Sequence, residues 1–295
     1  MTSFGEAPGN DDTTLFCNCT ADSLPIVVIN LDREVERWNR MQTLLQSLEL
    51  SARRVSAVDA KSEQNQFLYE LAKSKTMVTP TGMAAFLSHR KVWSQLASSP
   101  VKWAVILEDD LHISQAASRL LKSTNWFSER ADLIKVETFR RKATVSRSSR
   151  CIDDNHKLRT LNGKHVGAAG YIVAARAVPR LLQESQEITV DVDQFLFNPQ
   201  LSPINDLVRM QIDPALCIQD QRVPAHHQIG IVSSLSLERE NFAKANNDLK
   251  SSPKKRTDLW TKIRRRWNET VSFLKRRGKS NIKKRIRINL NDQWV

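Results

Sequence analysis

The chain has 295 residues, of which 40% are hydrophobic and 26% are charged, and its formal net charge is +13 at pH 7. This length is enough to bury a sizeable core in one large domain or two. No apolar run has the length of a transmembrane helix, so the composition favours a globular protein over a helical membrane protein.

The positive charge is confined to one end of the chain. From residue 241 onward there are 17 Lys and Arg against 4 Asp and Glu, which accounts for the whole net charge. Residues 1–22 are polar and acidic and lack the apolar segment of a secretory signal. We therefore predict a disordered leader at residues 1–22, a globular domain at residues 23–240 and a separate basic module at residues 241–295.

The cysteines indicate a reducing compartment. Cys17 and Cys19 lie in the leader without a second pair at the spacing of a zinc site, and Cys151 and Cys217 stand apart from them. We interpret all four as free thiols and expect a cytoplasmic protein.

The globular domain begins with a strand and a helix. Residues 24–31 form a short, β-branched run that is typical of a buried strand. The next residues carry apolar side chains at three- and four-residue spacing, which predicts an amphipathic helix. Arg33 and Arg37, just past the strand, could meet a nucleotide phosphate, although surface arginines are the commoner outcome.

A second helix is predicted to begin at residues 79–82, where Thr-Pro-Thr-Gly combines turn and helix-start residues. This helix carries His89 among apolar residues. A buried histidine of this kind is either a satisfied core residue or a group of the functional site.

Residues 103–110, Trp-Ala-Val-Ile-Leu-Glu-Asp-Asp, are the most informative stretch of the chain. The apolar part predicts a buried strand of a mostly parallel sheet, and in such sheets ligands bind beyond the carboxyl ends of the strands. Glu108, Asp109 and Asp110 would repel one another unless a cation or hydrogen-bond donors compensate them. Carboxylates suit Mn²⁺ or Mg²⁺ holding a diphosphate, whereas the competing interpretation is a simple helix cap.

The remaining elements are read with the same rules. Residues 132–137 alternate like a strand, and residues 140–150 are basic and aperiodic, which predicts a loop, either solvated or acting as a lid.

Gly167 opens a run of small residues that allows close approach of backbone or ligand. Asp193, with Asp191 in reserve, is the candidate general base, and a helix cap is the alternative. Residues 211–220 predict a last strand.

In several stretches the chain resembles the family 25 glycosyltransferases. The matching stretches are Val28-Ile-Asn-Leu-Asp-Arg33, Leu87-Ser-His-Arg-Lys-Val-Trp93, Val105-Ile-Leu-Glu-Asp-Asp110, Gly167-Ala-Ala-Gly-Tyr-Ile172, Val190-Asp-Val-Asp193 and Pro214-Ala-Leu-Cys-Ile-Gln-Asp220. The resemblance departs at residues 81–85, where relatives carry Gly-Glu-Ile-Gly-Cys and this chain has Thr-Gly-Met-Ala-Ala. The glutamate is absent, so the sugar specificity could differ.

The resemblance implies a GT-A-like, Rossmann-type α/β fold and an inverting transfer of a hexose from a UDP-sugar, most often UDP-galactose. It also implies that Asp110 with Glu108 binds Mn²⁺ or Mg²⁺ on the diphosphate. The donor-binding residues that it suggests are Asn30, Arg33, His89, Glu108, Asp109, Gly167 and Tyr171.

The basic module carries a helical pattern of its own. Its apolar face is formed by Trp260, Ile263, Trp267, Val271 and Leu274. A basic helix with tryptophans on its apolar face is typical of an in-plane anchor on an anionic membrane surface. The same face could instead pack on the catalytic domain or on a second copy. Binding to nucleic acid is disfavoured, because few aromatic side chains lie among the basic residues, where nucleobases could stack on them.

The sequence therefore predicts a hexosyltransferase for lipopolysaccharide, lipooligosaccharide or another surface glycan, acting on a saccharide or lipid-linked acceptor. It would be cytoplasmic or peripheral on the inner face of the cell membrane. Two alternatives stay open, a catalytically silent relative that binds a sugar nucleotide and a scaffold that binds a membrane or nucleic acid through the basic tail.

Overall fold

The structure is a computed structural model that describes residues 15, 16, 18–75, 78–230 and 281–288. The helices are α1 (Val35–Ser47), α2 (Phe67–Lys75), α3 (Pro80–Ala97), α4 (Ala117–Leu120), α5 (Val178–Glu184) and α6 (Val192–Phe197). The strands are β1 (Ile26–Asn30), β2 (Ala52–Ser56), β3 (Trp103–Glu108), β4 (Leu111–Ile113), β5 (Leu133–Lys135), β6 (Lys142–Ser146), β7 (Arg150–Cys151), β8 (Lys157–Thr160), β9 (Gly170–Ala174), β10 (Arg209–Asp213), β11 (Cys217–Gln219) and β12 (Asn281–Arg285).

Eight strands form one central sheet in the order β2-β1-β3-β9-β5-β10-β8-β7. The α/β class is confirmed, but the predicted mostly parallel sheet is wrong, because β9 runs antiparallel to both of its neighbours and β8 runs antiparallel to β10. A central strand buried on both faces is a continuous apolar run in either direction, so its composition does not encode its direction.

Five strands nevertheless point the same way, as does the two-residue edge strand β7. β1, β2 and β3 are mutually parallel, and β5 and β10 are parallel to each other on the far side of β9. Their carboxyl ends therefore lie along one edge of the sheet, which we call the carboxyl edge. The last residues of these strands are Asn30, Ser56, Glu108, Lys135 and Asp213.

The core lies on both faces of this sheet, as the alternation along β3 shows. Ala104 and Ile106 pack into one apolar cluster, and Val105 and Leu107 pack into another. The first cluster includes Phe86 and Trp93 of α3, and the second includes Met41 and Leu45 of α1. Burial on both faces is the reason that β3 is apolar without a break.

Helix α3 begins where the sequence predicts it. Thr79 is the N-cap, and its hydroxyl accepts a hydrogen bond from the Gly82 N–H at 3.0 Å. Pro80 occupies the first turn, where its missing N–H costs nothing. This start places His89 two turns later on the buried side of the helix.

Two further predictions are corrected. Residues 140–150 are not a loop, because β6 lies within them, β7 begins at their last residue and β6 pairs antiparallel with β12. The single strand expected at residues 211–220 is two strands, β10 and β11, separated by the cis peptide bond between Asp213 and Pro214.

Other expectations meet the described residues only in part. Leu15 and Phe16, which fall in the predicted leader, are buried in the core cluster on the α3 face. The predicted amphipathic helix at residues 253–278 lies outside the described residues. None of the helices within the described ranges is long and apolar enough to cross a membrane.

Candidate active site

A pocket opens at the carboxyl edge where β1, β2 and β3 end. It lies between these strand ends, the loop after β2 and the first turns of α3. The polar side chains that line it include Asn30, Arg33, Arg37, His89, Glu108 and Asp110. The register explains the convergence, because Asn30 pairs with Ser56 and its neighbour Ile29 pairs with Glu108.

Asp109 lines the pocket with both carboxylate oxygens already engaged. Its Oδ2 accepts a hydrogen bond from Asn30 Nδ2 at 2.6 Å, and its Oδ1 accepts one from Arg37 Nη2. Burial raises the pKa of Asp109, and the positive charge of Arg37 opposes that shift. Asp109 therefore ties the end of β3 to β1 and α1, which leaves it little capacity for a ligand.

Asp110 differs from its neighbour because it retains an open oxygen. The side chain is buried, and its Oδ2 accepts a hydrogen bond from Gln219 Nε2 at 3.3 Å. Its Oδ1 has no hydrogen-bond partner among the described residues. Burial and the adjacent Glu108 raise the pKa of Asp110 well above its usual range. A buried, unsatisfied carboxylate oxygen is costly without a positively charged or hydrogen-bonding partner.

A chain of hydrogen bonds behind the pocket orients Glu108. Trp93 Nε1 donates to the Tyr171 hydroxyl oxygen at 2.9 Å, and that hydroxyl lies 3.0 Å from His89 Nδ1. His89 Nε2 lies 3.4 Å from Glu108 Oε1. Because an indole only donates, the Tyr171 proton is available for His89 Nδ1, which leaves the Nε2 proton directed at Glu108. Burial lowers the pKa of His89 to about 3, so the ring is neutral.

The two carboxylates at this end of β3 fit a hard divalent cation. Glu108 and Asp110 both line the pocket, and carboxylate oxygens are preferred by Mg²⁺ and Mn²⁺. No group of three or more His, Cys, Asp or Glu within the described ranges is arranged to hold an ion. A cation held by these two carboxylates alone would need its remaining ligands from water or from a bound ligand.

Cationic side chains line the same pocket. Arg33 Nη1 forms an ion pair with Asp59, and both side chains are partly exposed. Lys61, two residues further along the loop after β2, also lines the pocket. Arg33, Arg37 and Lys61 place positive charge near the carboxylates, which favours an anionic ligand in the pocket.

Farther along the carboxyl edge, Lys135 and Glu137 form a fully buried ion pair. Lys135 Nζ lies 3.0 Å from Glu137 Oε2 and also donates to the Gly167 carbonyl. Gly167 has a φ of +87°, and a Cβ there would lie 2.6 Å from Glu137 Oε1. Only glycine meets both conditions, so the sequence prediction of close approach at Gly167 is explained by Glu137.

Asp193 is anchored on the same turn. Its Oδ2 accepts hydrogen bonds from the Gly167 N–H at 3.0 Å and from Gln194 Nε2 at 3.1 Å. Two residues beyond Gly167, the Ala169 carbonyl accepts a hydrogen bond from the Glu108 N–H at 2.8 Å. A backbone path of two residues therefore connects the turn that holds Asp193 to the acidic end of β3.

Asp191 lies against the first turn of α3 and not on the Gly167 turn. A Cβ built on Gly82 would fall 2.6 Å from Asp191 Oδ1, so the carboxylate uses the space that the glycine leaves. Gly82 belongs to the stretch in which this chain departs from the resembling family.

The structure thus separates the predicted site residues into groups. Asn30, Arg33, His89, Glu108, Asp109 and Asp110 meet in the pocket, whereas Tyr171 stands behind His89 and Gly167 and Asp193 lie farther along the edge. Sequence reasoning missed the buried Lys135 and Glu137 and the pocket residues Asp59 and Lys61. The alternation of residues 132–137 contained a signal, since it places Lys135 and Glu137 on one face.

Comparisons with known proteins show the family to which the chain belongs. The family model described as "Glycosyltransferase family 25 (LPS biosynthesis protein)" matches residues 23–196, more than half of the chain. That range includes β1 to β3, α3, Gly167 and Asp193.

Two curated relatives resemble the chain at moderate identity. The lacto-N-neotetraose biosynthesis glycosyltransferase LgtE of Neisseria meningitidis serogroup B is 24% identical over 180 residues, covering 56% of this chain and 62% of the relative. The lipooligosaccharide biosynthesis protein lic2B of Haemophilus influenzae is 26% identical over 192 residues, covering 60% of this chain and 67% of the relative. The chain thus spans about two thirds or less of each relative's length.

One solved structure, of a glycosyltransferase involved in the glycosylation of the major capsid of PBCV-1, covers 76% of this chain and 99% of its own. Its sequence identity of 8% and TM-score of 0.37 are too low to bear on the fold.

Proposed function

Because the chain belongs to glycosyltransferase family 25, we propose that it transfers a hexose from a UDP-sugar to a saccharide acceptor with inversion at the anomeric carbon. Galactose is the proposed hexose, and a glycolipid of the lipopolysaccharide or lipooligosaccharide type is the proposed product. The proposal includes a GT-A-type donor site in which Glu108 and Asp110 bind Mn²⁺ or Mg²⁺.

The observation that carries the proposal is the open oxygen of Asp110. The adjacent Asp109 is saturated by Asn30 and Arg37, whereas Asp110 is equally buried and keeps Oδ1 without a described partner. Such an arrangement is costly in the free protein. It becomes favourable when a cation shared with a diphosphate occupies the pocket.

The pocket residues would act on the donor as a set. A cation held by Glu108 and Asp110 supplies positive charge that stabilises the leaving diphosphate. Arg33, Arg37 and Lys61 would pair with phosphate oxygens, and Arg33 would exchange its ion pair with Asp59 for one with the donor. Neutral His89 would hold Glu108 in the orientation that faces the pocket.

Asp193 is the proposed general base. The Gly167 N–H and the Gln194 amide fix its Oδ2, so the other oxygen is the one that can take a proton. In the proposed step the acceptor hydroxyl attacks the anomeric carbon, the bond from that carbon to the phosphate oxygen breaks, and the hydroxyl proton passes to Asp193.

Thermal unfolding with UDP, with and without Mn²⁺, tests the donor site. A ligand that binds only the folded state stabilises it by about 2.7 kcal/mol at 100-fold excess over its dissociation constant. We expect a shift that requires both UDP and Mn²⁺ and that Asp110→Asn abolishes. Asp154→Asn is the matched control, since Asp154 is an exposed carboxylate on the turn before β8, and it should keep the full shift.

The outcomes separate the possibilities. A shift with other nucleotides but not with UDP would change the donor. A UDP shift without transfer of sugar to any acceptor would indicate a relative that binds without catalysis. An unchanged shift in Asp110→Asn would contradict the assignment of the cation site.

A further inference from the structure

The carboxyl edge continues past the candidate active site into a ribbon made by two distant parts of the chain. β12 pairs antiparallel with β6, so residues 281–285 lie beside residues 142–146. Beyond β12, Ile286 is fully buried, its carbonyl accepts the Thr138 hydroxyl at 2.8 Å, and the Arg287 carbonyl accepts the Ala215 N–H at 2.8 Å. Thr138 directly follows Glu137, so the ribbon lies next to the Lys135–Glu137 pair at the carboxyl edge.

The two faces of this ribbon have opposite character. Ala143 and Val145 of β6 face the core, with Ile282 of β12 packed against it, and Lys284 on that side reaches the buried Asp213 at 2.6 Å. The other face carries only polar and basic residues. With the adjacent turn it presents five exposed bases, which we call the cationic face, namely Arg140, Arg141, Lys142, Lys283 and Arg285.

The bases of the cationic face have no ionic partners among the described residues. Lys142 and Arg285 are direct partners in the register, and like charges directly opposite each other in a ribbon are destabilising. A solvated surface does not require two bases in register, whereas an anionic ligand would remove their repulsion.

The turn that begins the cationic face is held in an uncommon backbone conformation. Arg140 has a φ of +53°, which costs an ordinary residue about 1–2 kcal/mol. Its N–H donates to Thr138 Oγ1 at 3.0 Å, and Thr138 in turn donates to the Ile286 carbonyl. The C-terminal strand therefore fixes the position of the arginines, which is the pattern expected where an uncommon conformation serves a ligand.

An aromatic contact connects this turn to the acidic end of β3. The Phe139 ring lies 4.1 Å from the Arg222 guanidinium and 5.9 Å from that of Arg141. Arg222 belongs to the short turn that starts at Asp220, whose N–H donates to the Asp110 carbonyl at 2.8 Å. The cationic face thus has two connections to the site, through Glu137 and through Asp220.

We propose that the cationic face binds acidic groups, phosphate or carboxylate, on the saccharide acceptor, so that this enzyme selects anionic acceptors. The inference rests on the proposed function, since it concerns the acceptor side of that site. Position favours a glycan over a lipid headgroup, because the turn that starts the face follows closely on Glu137, whose carboxylate packs against the Gly167 turn that holds Asp193. Several bases on a rigid ribbon suit the spread charges of an oligosaccharide.

The test compares two variants that each remove three positive charges. In the ribbon variant, Lys142, Lys283 and Arg285 become Gln. In the control variant, Lys102, Lys122 and Arg130, which are also exposed but lie elsewhere, become Gln. Calorimetry measures binding of the deacylated oligosaccharide of a phosphorylated lipooligosaccharide and of the same oligosaccharide after removal of its phosphates.

We expect the wild type and the control variant to prefer the phosphorylated oligosaccharide and the ribbon variant to bind it at least tenfold more weakly. The dephosphorylated oligosaccharide should bind all three alike. Equal binding of the phosphorylated form to the ribbon variant and the wild type would overturn the proposal. Binding of the same three proteins to phosphatidylglycerol vesicles is also measured. If the ribbon variant lost binding to the vesicles but not to the oligosaccharide, the face would be a membrane contact and the proposal would be overturned.

The UDP and Mn²⁺ thermal shift is measured on the same three proteins. If it is present in all of them while acceptor binding does not change, only the inference about the cationic face fails. If it is absent from the wild type, the proposed donor site fails independently of the acceptor result.

Discussion

The carboxyl edge has two halves that are built in different ways. The first half, at the ends of β1, β2 and β3, takes its polar groups from residues that directly follow each strand. The second half, at the ends of β5 and β10, is assembled from parts of the chain as distant as Glu137, Gly167, Asp213 and residues 281–288.

The two halves also differ in how their buried charges are compensated. In the first half Asp110 is buried with an oxygen that no described group satisfies. In the second half the buried carboxylates have cationic partners, because Lys135 pairs with Glu137, and Asp213 lies between Arg159 and Lys284. Glu137 Oε1 also has no hydrogen-bond partner among the described residues, but the ammonium group of Lys135 compensates the charge of that carboxylate. A buried pair adds little net stability but is costly to break. The first half is therefore ready for a ligand, and the second mainly holds its own geometry.

The largest effect should come from neutralising the open carboxylate in the first half. We expect Asp110→Asn to lower the sugar-transfer rate about 1,000-fold, comparable to the loss of one charge-stabilising group in other enzymes. Its free energy of unfolding should stay the same or rise, because burial disfavours the charged form. Transfer assays and denaturant unfolding measure the two quantities.

Asp109→Asn provides the opposite case in the adjacent residue. It breaks the pairing with Arg37 and weakens that with Asn30, so we expect a loss of about 2 kcal/mol in stability. Transfer activity per folded molecule should fall much less than in Asp110→Asn. If both substitutions had the same effect on activity and stability, the contrast between a saturated and an open carboxylate would be wrong.

The second-largest effect tests whether the C-terminal strand belongs to the second half. Ile286 is fully buried in the main core cluster, so Ile286→Ala should cost about 2–4 kcal/mol by leaving a cavity. Ile288→Ala is the control, because Ile288 is only half-buried and should cost clearly less. Denaturant unfolding of both variants measures the difference, and a cost at Ile286 as small as that of the control would show that the strand contributes little to the core.

The first half could be predicted from the sequence because its signals are local. An apolar run followed by acids marked β3, a β-branched run marked β1, and Thr79 with Pro80 marked the start of α3. Parallel strands then bring their ends together by geometry alone. That reasoning placed the three acids at the carboxyl edge, with Arg33 a candidate beside them, and the family resemblance added Asn30 and His89 to the same donor site.

The second half could not be predicted in this way. The alternation of residues 132–137 places Lys135 and Glu137 on one polar face, which would ordinarily face water, yet both are fully buried under the Gly167 turn and Phe197. β12, the partner strand of β6, comes from a distant part of the chain, and no local sequence pattern predicts this pairing. Nor does the composition of β9 reveal that it runs antiparallel between β3 and β5.

Gly167 lies at the junction of the two halves, so its substitution tests how they are joined. Gly167→Ala places a Cβ at 2.6–2.9 Å from the Glu137 carboxylate and also strains the positive φ. We expect a stability loss of more than about 2 kcal/mol and a lower turnover number, because the Gly167 N–H also holds Asp193. Kinetics on the folded fraction separates the two effects.

Gly230→Ala is the matched control for backbone strain. Gly230 has a φ of +78° and nothing within 4 Å of its built Cβ, so it shares the strain without the collision. It should therefore cost only about 1–2 kcal/mol. A Gly167 variant no less stable than the Gly230 variant would show that Glu137 moves aside easily and that the halves are only loosely joined.

The smallest effect concerns a buried histidine in the second half. His165 has no hydrogen-bond partner for either ring nitrogen among the described residues, and burial, with Lys135 nearby, lowers its pKa to about 3. The unfolded chain takes up a proton below pH 6.5 and the folded protein does not, so this histidine lowers stability as the pH falls through 6.5. Between pH 7 and 5.5 the loss is about 1 kcal/mol. His165→Leu should remove it, and denaturant unfolding at both pH values measures the difference.

The same substitution at exposed His226 controls for the change of residue type. If His165→Leu kept the full wild-type pH dependence, the second half would admit water or an anion to this ring, and its separation from the ligand-ready first half would be less complete than the geometry indicates.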